Sequence, residues 1–322
     1  MIITRTPFRV SFAGGGSDLR DFYLHNGYGA VVSTAIKKYM YIVIHPYFHD
    51  KIRIKYSRTE DVDSVDEIQH PILRECMRKV RIEKGIEIAS FADIPAGTGL
   101  GSSSSFTVGL LNALYAYKGQ ILSKEQIAHQ ACEIEIDILK EPIGKQDQYA
   151  AAYGNINYIK FNKDDSVNVT PILITDSLKK TLQRNLCLYY IGGNRNTRDI
   201  LSEQKQNLKQ ESKIKNLQKM LILADEIKIA LQKNKPQHIG QLLHKGWIYK
   251  KELASGISNN IVDEMYNSAL SHGAKGGKLL GAGGNGFLLI YSNSHQKLKK
   301  QLGCTTLPFE IDTEGSKIIF YE

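Results

Sequence analysis

The sequence predicts an α+β fold with room for one large or two moderate domains, and three observations support that prediction. Strand-sized apolar runs alternate with helix-period segments along 322 residues, a length that allows a substantial core. Glycine clusters at 14–16, 97–101 and 281–286 interrupt this pattern beside strand signals, where a backbone must turn or approach something closely. The final third runs from helix to paired strands, with neither a repeat nor a low-complexity tail.

Taken in order, the chain opens on a strand in which Phe8, Val10 and Phe12 alternate, turning Arg9 and Ser11 to the opposite face. Gly14, Gly15 and Gly16 break it and present Ser17 and Asp18; alone, they read as a hairpin turn. Segments 30–36, 39–46 and 51–56 read as locally paired strands separated by turns at Lys37-Lys38 and His49-Asp50. After an acidic link over 60–67, a helix is expected over 70–84, ending near Gly85, and then a strand over 86–91.

Residues 93–107, DIPAGTGLGSSSSFT, follow that strand and open onto an apolar helical segment. Gly97, Gly99 and Gly101 remove every Cβ along one turn, so backbone N–H groups can converge on an anion. The serines then sit at a helix N-terminus, where unpaired donors and the macrodipole attract phosphate. A flexible Gly/Ser linker is the competing reading, disfavoured because an apolar strand and an apolar helix flank the loop and Pro95 sets its turn.

A helix over 124–139 begins at the N-cap Ser123 and places Glu133, Glu135 and Asp137 in its last turns. Anions are unfavourable there, which hints at a neutralising cation; for each carboxylate singly, a solvated acidic face is the simpler reading. The segment 142–154, PIGKQDQYAAAYG, makes a tight turn and then a short helix with Asp147 in its first turn and Gly154 at its end. Strands over 155–161 and 167–171 precede a polar middle section, and a buried strand over 186–191 closes on glycines and Arg195 and Arg198. Two or three helices are expected over 198–253, one broken near Pro236, with another over 260–272. The chain then reads glycine-rich segment 273–286, strand 287–291, helix 294–302, and strands 305–309 and 317–321.

Composition excludes several classes. The longest apolar runs are strand-sized, far short of a membrane span, and no signal-like segment opens the chain. Cys76, Cys132, Cys187 and Cys304 lack paired spacing, which argues against zinc or a disulfide framework and for buried thiols in a reducing cytoplasm. The formal charge of +9 comes mostly from lysines spread over 179–251 rather than stacked on one face, so a solvated surface is the simpler account. No basic stripe interleaved with aromatics is present to bind nucleic acid.

Gly281, Gly283 and Gly286 satisfy a bare G-x-G-x-x-G, but they lead into a strand near the C-terminus, so the dinucleotide-fold reading is rejected. No Walker loop exists, because neither Lys145 nor Lys278 is followed by Ser or Thr.

Three motifs in order, 7–18 (PFRVSFAGGGSD), 95–104 (PAGTGLGSSS) and 278–287 (KLLGAGGNGF), resemble the galactokinase, homoserine kinase, mevalonate kinase and phosphomevalonate kinase superfamily across nearly the whole chain. More narrowly, 9–18 and 142–154 are similar to the D-glycero-D-manno-heptose 7-phosphate kinase branch, near the sugar 1-kinases that include fucokinase. Asn285 departs from the pattern, standing where a further glycine is common.

The resemblance implies a two-domain fold: a ribosomal-protein-S5-like domain over 1–175 and a ferredoxin-like domain over 176–322, with the active site in the cleft between them. It implies an ATP- and Mg²⁺-dependent kinase acting on a small-molecule sugar or sugar phosphate at the anomeric hydroxyl. Pro95, Gly97, Gly99, Leu100, Gly101, Ser102, Ser103 and Ser104 would hold the ATP phosphates. Ser103 and Glu135 would ligate Mg²⁺, with Ser104 and Glu133 as alternatives. Asp147 would take the proton from the attacking hydroxyl, and Arg9 beside it would keep Asp147 ionised. Gly15, Gly16, Ser17, Asp18, Arg195, Lys278, Gly281, Gly283 and Gly284 would form the acceptor side, with Arg198 and Lys275 as further cations for an acceptor phosphate. A fucose- or galactose-type kinase, an isoprenoid kinase, and a non-catalytic sugar- or nucleotide-responsive protein are the competing functions; intact Arg9, Ser103 and Asp147 argue against the last.

Overall fold

The computed structural model describes residues 1–192 and 197–322. Strand β1 (Ile2–Ala13) leads through helix α1 (Arg20–Asn26) to the long strand β2 (Tyr28–Pro46), with which it pairs antiparallel along its whole length. The two strands expected over 30–46 are therefore one. Pro7 stands opposite Tyr39 and Phe8 opposite Ile36, so Lys37 and Lys38 form a bulge rather than a turn.

Strand β3 (Ile52–Lys55) lies where a strand was expected, and it forms a hairpin with β4 (Thr59–Val62), which occupies the start of the segment expected to be an acidic link. Helix α2 (Pro71–Val80) follows; Arg81 takes a left-handed conformation (φ 57) and Ile82 turns back into the core, so the helix stops short of the expected 84. Strand β5 (Ile86–Ala92) pairs with β2 on one side and runs parallel to β3 on the other. Local pairing thus holds for β1 and β2 but fails for β3, whose partners are β4 and β5.

Helix α3 (Ser102–Tyr117) packs against β1 and β2 and is buried on nearly every side, which is why its sequence is apolar all round. Thr4 Oγ1 donates to the Gly109 carbonyl at 2.9 Å, and a Cβ on Gly109 would lie 2.7 Å from Thr6 Oγ1. This tight seating fixes the middle of α3 against β1.

Helix α4 (Lys124–Cys132) begins with a Ser123/Gln126 capping box and passes into a wide π-turn over Glu133–Ile138, where one continuous helix was expected. Helix α5 (Gln146–Tyr153) ends at Gly154 as expected, and strands β6 (Ile156–Asn162) and β7 (Val167–Pro171) extend the sheet from the first half of β2.

The polar middle section holds helix α6 (Asp176–Asn185), capped by Thr175, which the sequence reading left unassigned. Strand β8 (Leu186–Gly192), helices α7 (Thr197–Asn207), α8 (Glu211–Gln232), α9 (Ile239–Lys251) and α10 (Asn260–Ser271), and strands β9 (Gly276–Leu279) and β10 (Gly286–Tyr291) follow. Helix α11 (His295–Leu302) and strands β11 (Thr306–Pro308) and β12 (Lys317–Tyr321) complete the chain.

Two sheets result. The larger runs β12-β1-β2-β5-β3-β4 with β6 and β7 branching from β2; the smaller runs β11-β8-β10-β9. The last strand, placed with the second half by its position in sequence, pairs antiparallel with β1. One apolar cluster joins both sheets through Leu110, Ile159, Leu188, Trp247 and Leu289.

Candidate functional site

The loop between β5 and α3 is held by three anchors. Leu100 is buried, the Arg9 backbone N–H donates to the Leu100 carbonyl at 3.0 Å, and Arg9 Nη1 donates to the Gly99 carbonyl at 2.7 Å. Gly97, Gly99 and Gly101 all have positive φ (78, 82 and 77), a conformation that side chains disfavour. Gly101 is the N-cap of α3 and brings no side-chain cap, so the first-turn N–H groups of Ser102, Ser103 and Ser104 face a cavity instead. Pro95, Gly97, Gly99, Gly101 and these three serines all line that cavity, while Leu100 supports it from beneath.

Below the loop, Arg9 and Asp147 form a bidentate pair, Nε to Oδ1 at 2.6 Å and Nη2 to Oδ2 at 2.5 Å. Arg9 is buried and Asp147 keeps one-fifth of its side chain exposed. The pair sits where two cavities meet. One is the phosphate-loop cavity; the other is lined by Ser11, Gly15, Gly16, Asp18, Gln146, Gln204, Lys250 and Lys278. Arg9, Ile143, Asp147, Leu201, Gly281 and Ala282 line both.

Asp18 is 2% exposed in the second cavity and accepts hydrogen bonds from the Gly16 and Gln146 N–H groups at 2.8 and 3.3 Å. Burial, and then the charge of Asp147, push its carboxyl above the usual range despite those bonds. Two lysines are also buried here. Lys250 Nζ donates to the carbonyls of Leu279 and Gly281, and Lys278 Nζ to that of Phe12 at 3.4 Å. Burial, reinforced by Arg9, lowers Lys250 to about 7, and burial with Lys250 and Arg9 nearby takes Lys278 well below its ordinary value. One guanidinium, two lysines and two carboxyl groups thus share one enclosure, an arrangement suited to an anionic, hydroxyl-bearing ligand that restores the lysines' protons.

The π-turn turns Glu135 inward and Glu133 outward. Glu135, 1% exposed, accepts from Ser103 and Ser104 at 2.8 Å, from Thr107 at 3.0 Å and from Gln148 at 2.5 Å. Burial raises its carboxyl in spite of these four donors. Glu133 instead pairs with Lys79 at the surface. Ser103 is exposed to the cavity whereas Ser104 is buried, so Ser103 is the reachable hydroxyl. The Ser103 hydroxyl, open to the cavity and bonded to the Glu135 carboxylate, is a hard oxygen donor of the kind that suits Mg²⁺, whereas Glu135 itself lines neither cavity.

Other expected residues are placed differently. Ser17 is fully buried and pins its own turn, donating to the carbonyls of Gly14 and Ala30 at 2.7 and 2.9 Å. Gly283 and Gly284 pack on Ile257, away from both cavities, because the glycine turn between β9 and β10 fits backbone against backbone. A Cβ on Gly281 would lie 2.4 Å from Gly99 Cα, and one on Gly286 2.3 Å from the Thr98 carbonyl oxygen, so this turn buttresses the phosphate loop. Arg198 lines the phosphate-loop cavity and pairs with Glu141 at 3.6 Å, whereas Lys275 lines neither cavity. Arg195 lies outside the described residues. Sequence reasoning missed Lys250, Gln204 and Leu201, which carry no local motif; Ser11 had a signal, since strand alternation puts it on the face of Arg9.

With this geometry in view, family models for the GHMP kinases N terminal domain and the GHMP kinases C terminal match residues 69–155 and 227–307. The chain belongs to the GHMP kinases. It is therefore a phosphotransferase acting on an alcohol group, and its two-sheet architecture is this family's two-domain fold. The chain is 28% identical over 337 aligned positions to D-glycero-alpha-D-manno-heptose 7-phosphate kinase of Campylobacter jejuni, with 98% of each chain covered. The crystal structure of a D-glycero-D-manno-heptose 1-phosphate kinase from Bacteriodes thetaiotaomicron superposes with a TM-score of 0.83 at 24% identity, covering all of both chains. Streptococcus pneumoniae phosphomevalonate kinase in complex with phosphomevalonate and AMPPNP superposes at 0.77 with 17% identity, covering 99% of this chain and 100% of that one. Among the described residues no helix is long and apolar enough to cross a membrane.

Proposed function

We propose that this GHMP kinase transfers the γ-phosphoryl group of ATP to the anomeric hydroxyl of a sugar phosphate, with D-glycero-D-manno-heptose 7-phosphate as acceptor and the 1,7-bisphosphate as product. One observation carries the reading: two cavities, one a phosphate cradle and one holding buried Lys250 and Lys278, meet at the Arg9–Asp147 pair.

The loop amides and the α3 N-terminus hold the triphosphate. Asp147 accepts the acceptor proton as the hydroxyl oxygen bonds to phosphorus and the bond from phosphorus to the ADP oxygen breaks. Arg9 holds that carboxylate in place and offsets charge on the transferred group. Ser103, backed by Glu135, would hold Mg²⁺, which when bound would neutralise phosphate charge. Lys250 and Lys278 supply the positive end of the acceptor cavity, and Asp18 grips sugar hydroxyls.

The test is transfer from ATP to a panel of the heptose 7-phosphate, free fucose, galactose, mannose and mevalonate, with NMR locating the new phosphate. The heptose phosphate is expected to give the highest kcat/KM, with phosphate added at C1. Preference for a free sugar would replace this acceptor with a fucokinase- or galactokinase-type one.

A further inference from the structure

We propose that Ser11 and Gln146 read the acceptor hydroxyl next to the one phosphorylated, so that the enzyme selects a vicinal diol. The inference rests on reading the Asp18 cavity as the acceptor site.

Among the described residues, few buried side-chain polar atoms lack a hydrogen-bond partner, and two of them, Ser11 Oγ and Gln146 Oε1, line this same cavity. Ser11 is only 7% exposed, so bulk water does not satisfy it. A buried polar atom left unpaired opposes folding, and such atoms persist where a ligand completes them. The two converge. A Cβ built on Gly15 would lie 3.6 Å from Gln146 Nε2 and 3.8 Å from both Gln146 Oε1 and Ser11 Oγ, yet glycine leaves that point free.

Their chemistry matches one hydroxyl group. Gln146 Oε1 accepts a hydrogen bond and Ser11 Oγ can donate one, while a sugar hydroxyl does both. A carboxylate or a methyl group at this point would leave at least one of the two unpaired.

Their attachment sets the distance to the reacting group. Ser11 lies two residues beyond Arg9 on the same face of β1, and Gln146 directly precedes Asp147 in the first turn of α5. Ser11 is two residues, about 7 Å of strand, from Arg9 and Gln146 one residue from Asp147, so the two readers flank the pair and the hydroxyl they bind is placed beside the one facing Asp147. For an anomeric acceptor that is the C2 hydroxyl. The path from the anomeric oxygen to the C2 oxygen spans two carbons, which suits so close a spacing.

A site built to bond a hydroxyl strongly rejects the analogue that lacks it. The experiment compares kcat/KM for D-glycero-D-manno-heptose 7-phosphate and its 2-deoxy analogue in the wild type, Ser11→Ala and Gln146→Leu. The wild type is expected to favour the full sugar by about a hundredfold or more, and each variant to shrink that ratio about tenfold, with KM for ATP unchanged. Because each ratio is internal to one protein, partial loss of folded enzyme cancels from it. If Ser11→Ala fails to fold, Gln146→Leu alone decides, since Gln146 sits on a partly exposed helical turn. A wild-type ratio near one, or variant ratios equal to wild type while the sugar is still phosphorylated, overturns the proposal. Failure of the wild type on every sugar instead removes the acceptor assignment on which it stands.

Discussion

Asp147→Asn probes the centre of the site while keeping the side chain's shape. It gives Arg9 one acceptor oxygen where it now has two, at 2.6 and 2.5 Å. The Arg9 side chain is only 6% exposed, so water does not replace the lost partner. Removing one member of a buried pair outright costs about 3–5 kcal/mol. Here Asn retains one acceptor and Arg9 keeps the Gly99 carbonyl, so a loss of about 1–3 kcal/mol of stability is expected. Catalysis should suffer more. Loss of a positioned base lowers kcat by about 10²–10⁴, or about 2.7–5.4 kcal/mol of barrier. Coupled ADP release gives kcat, urea unfolding gives stability, and equilibrium titration gives nucleotide affinity, which should change little because the loop amides are untouched. A folded variant whose kcat stays within about threefold of wild type would refute the base role.

Glu135→Gln presents an amide N–H₂ to two of four converging donors, so it should lose about 1–3 kcal/mol of stability and raise the Mg²⁺ concentration needed for half-maximal activity. Glu133→Gln should change neither by much, and the reverse pattern in a Mg²⁺ titration would move the metal site. In Gly144→Ala the new methyl would start 2.0 Å from Asp18 Oδ2, so acceptor KM should rise while ATP KM holds; equal rises in both would detach Asp18 from acceptor binding. Lys250 titrates near 7 when folded and at 10.5 when unfolded, so between those values the unfolded chain binds more protons and stability rises with pH. Lys250→Met should flatten that rise in urea midpoints measured across the window. In the wild type, kcat/KM for the phosphorylated acceptor should fall as pH climbs through about 7, as the ammonium is lost; a flat profile would contradict its role in binding the anion.

Much of this site was legible because short-range chemistry writes it. Gly97, Gly99 and Gly101 announce a left-handed turn that side chains resist, and the serines after them announce a helix start. Asp147 in the first turn of α5 and Gly154 at its end were readable for the same reason. Errors fell where tertiary packing overrode local signals. Lys37 and Lys38 read as a turn, yet continuous pairing with β1 absorbs them as a bulge. The π-turn after Cys132 has no composition of its own, and although Glu133 and Glu135, two residues apart on a helix, must face opposite sides, only the packing shows that Glu135 is the inward one. Ser17, Gly283 and Gly284 looked like ligand contacts because of the motifs they sit in, but close backbone packing uses them instead.

By itself the sequence determined the family and marked the glycine loop, Arg9, Ser103 and Asp147 as the proposed centre of the site, because motif spacing reflects backbone demands made within a few residues. Only the tertiary structure brought the groups of the second cavity together. Arg9 meets Asp147 across 138 positions of chain, and β12 returns from the C-terminus to pair with β1. Lys250 reaches the cavity from α9, where no neighbouring residue marks it. Burial in a shared enclosure is a property of the folded surface, and only there do these groups acquire their displaced charges and unpaired atoms.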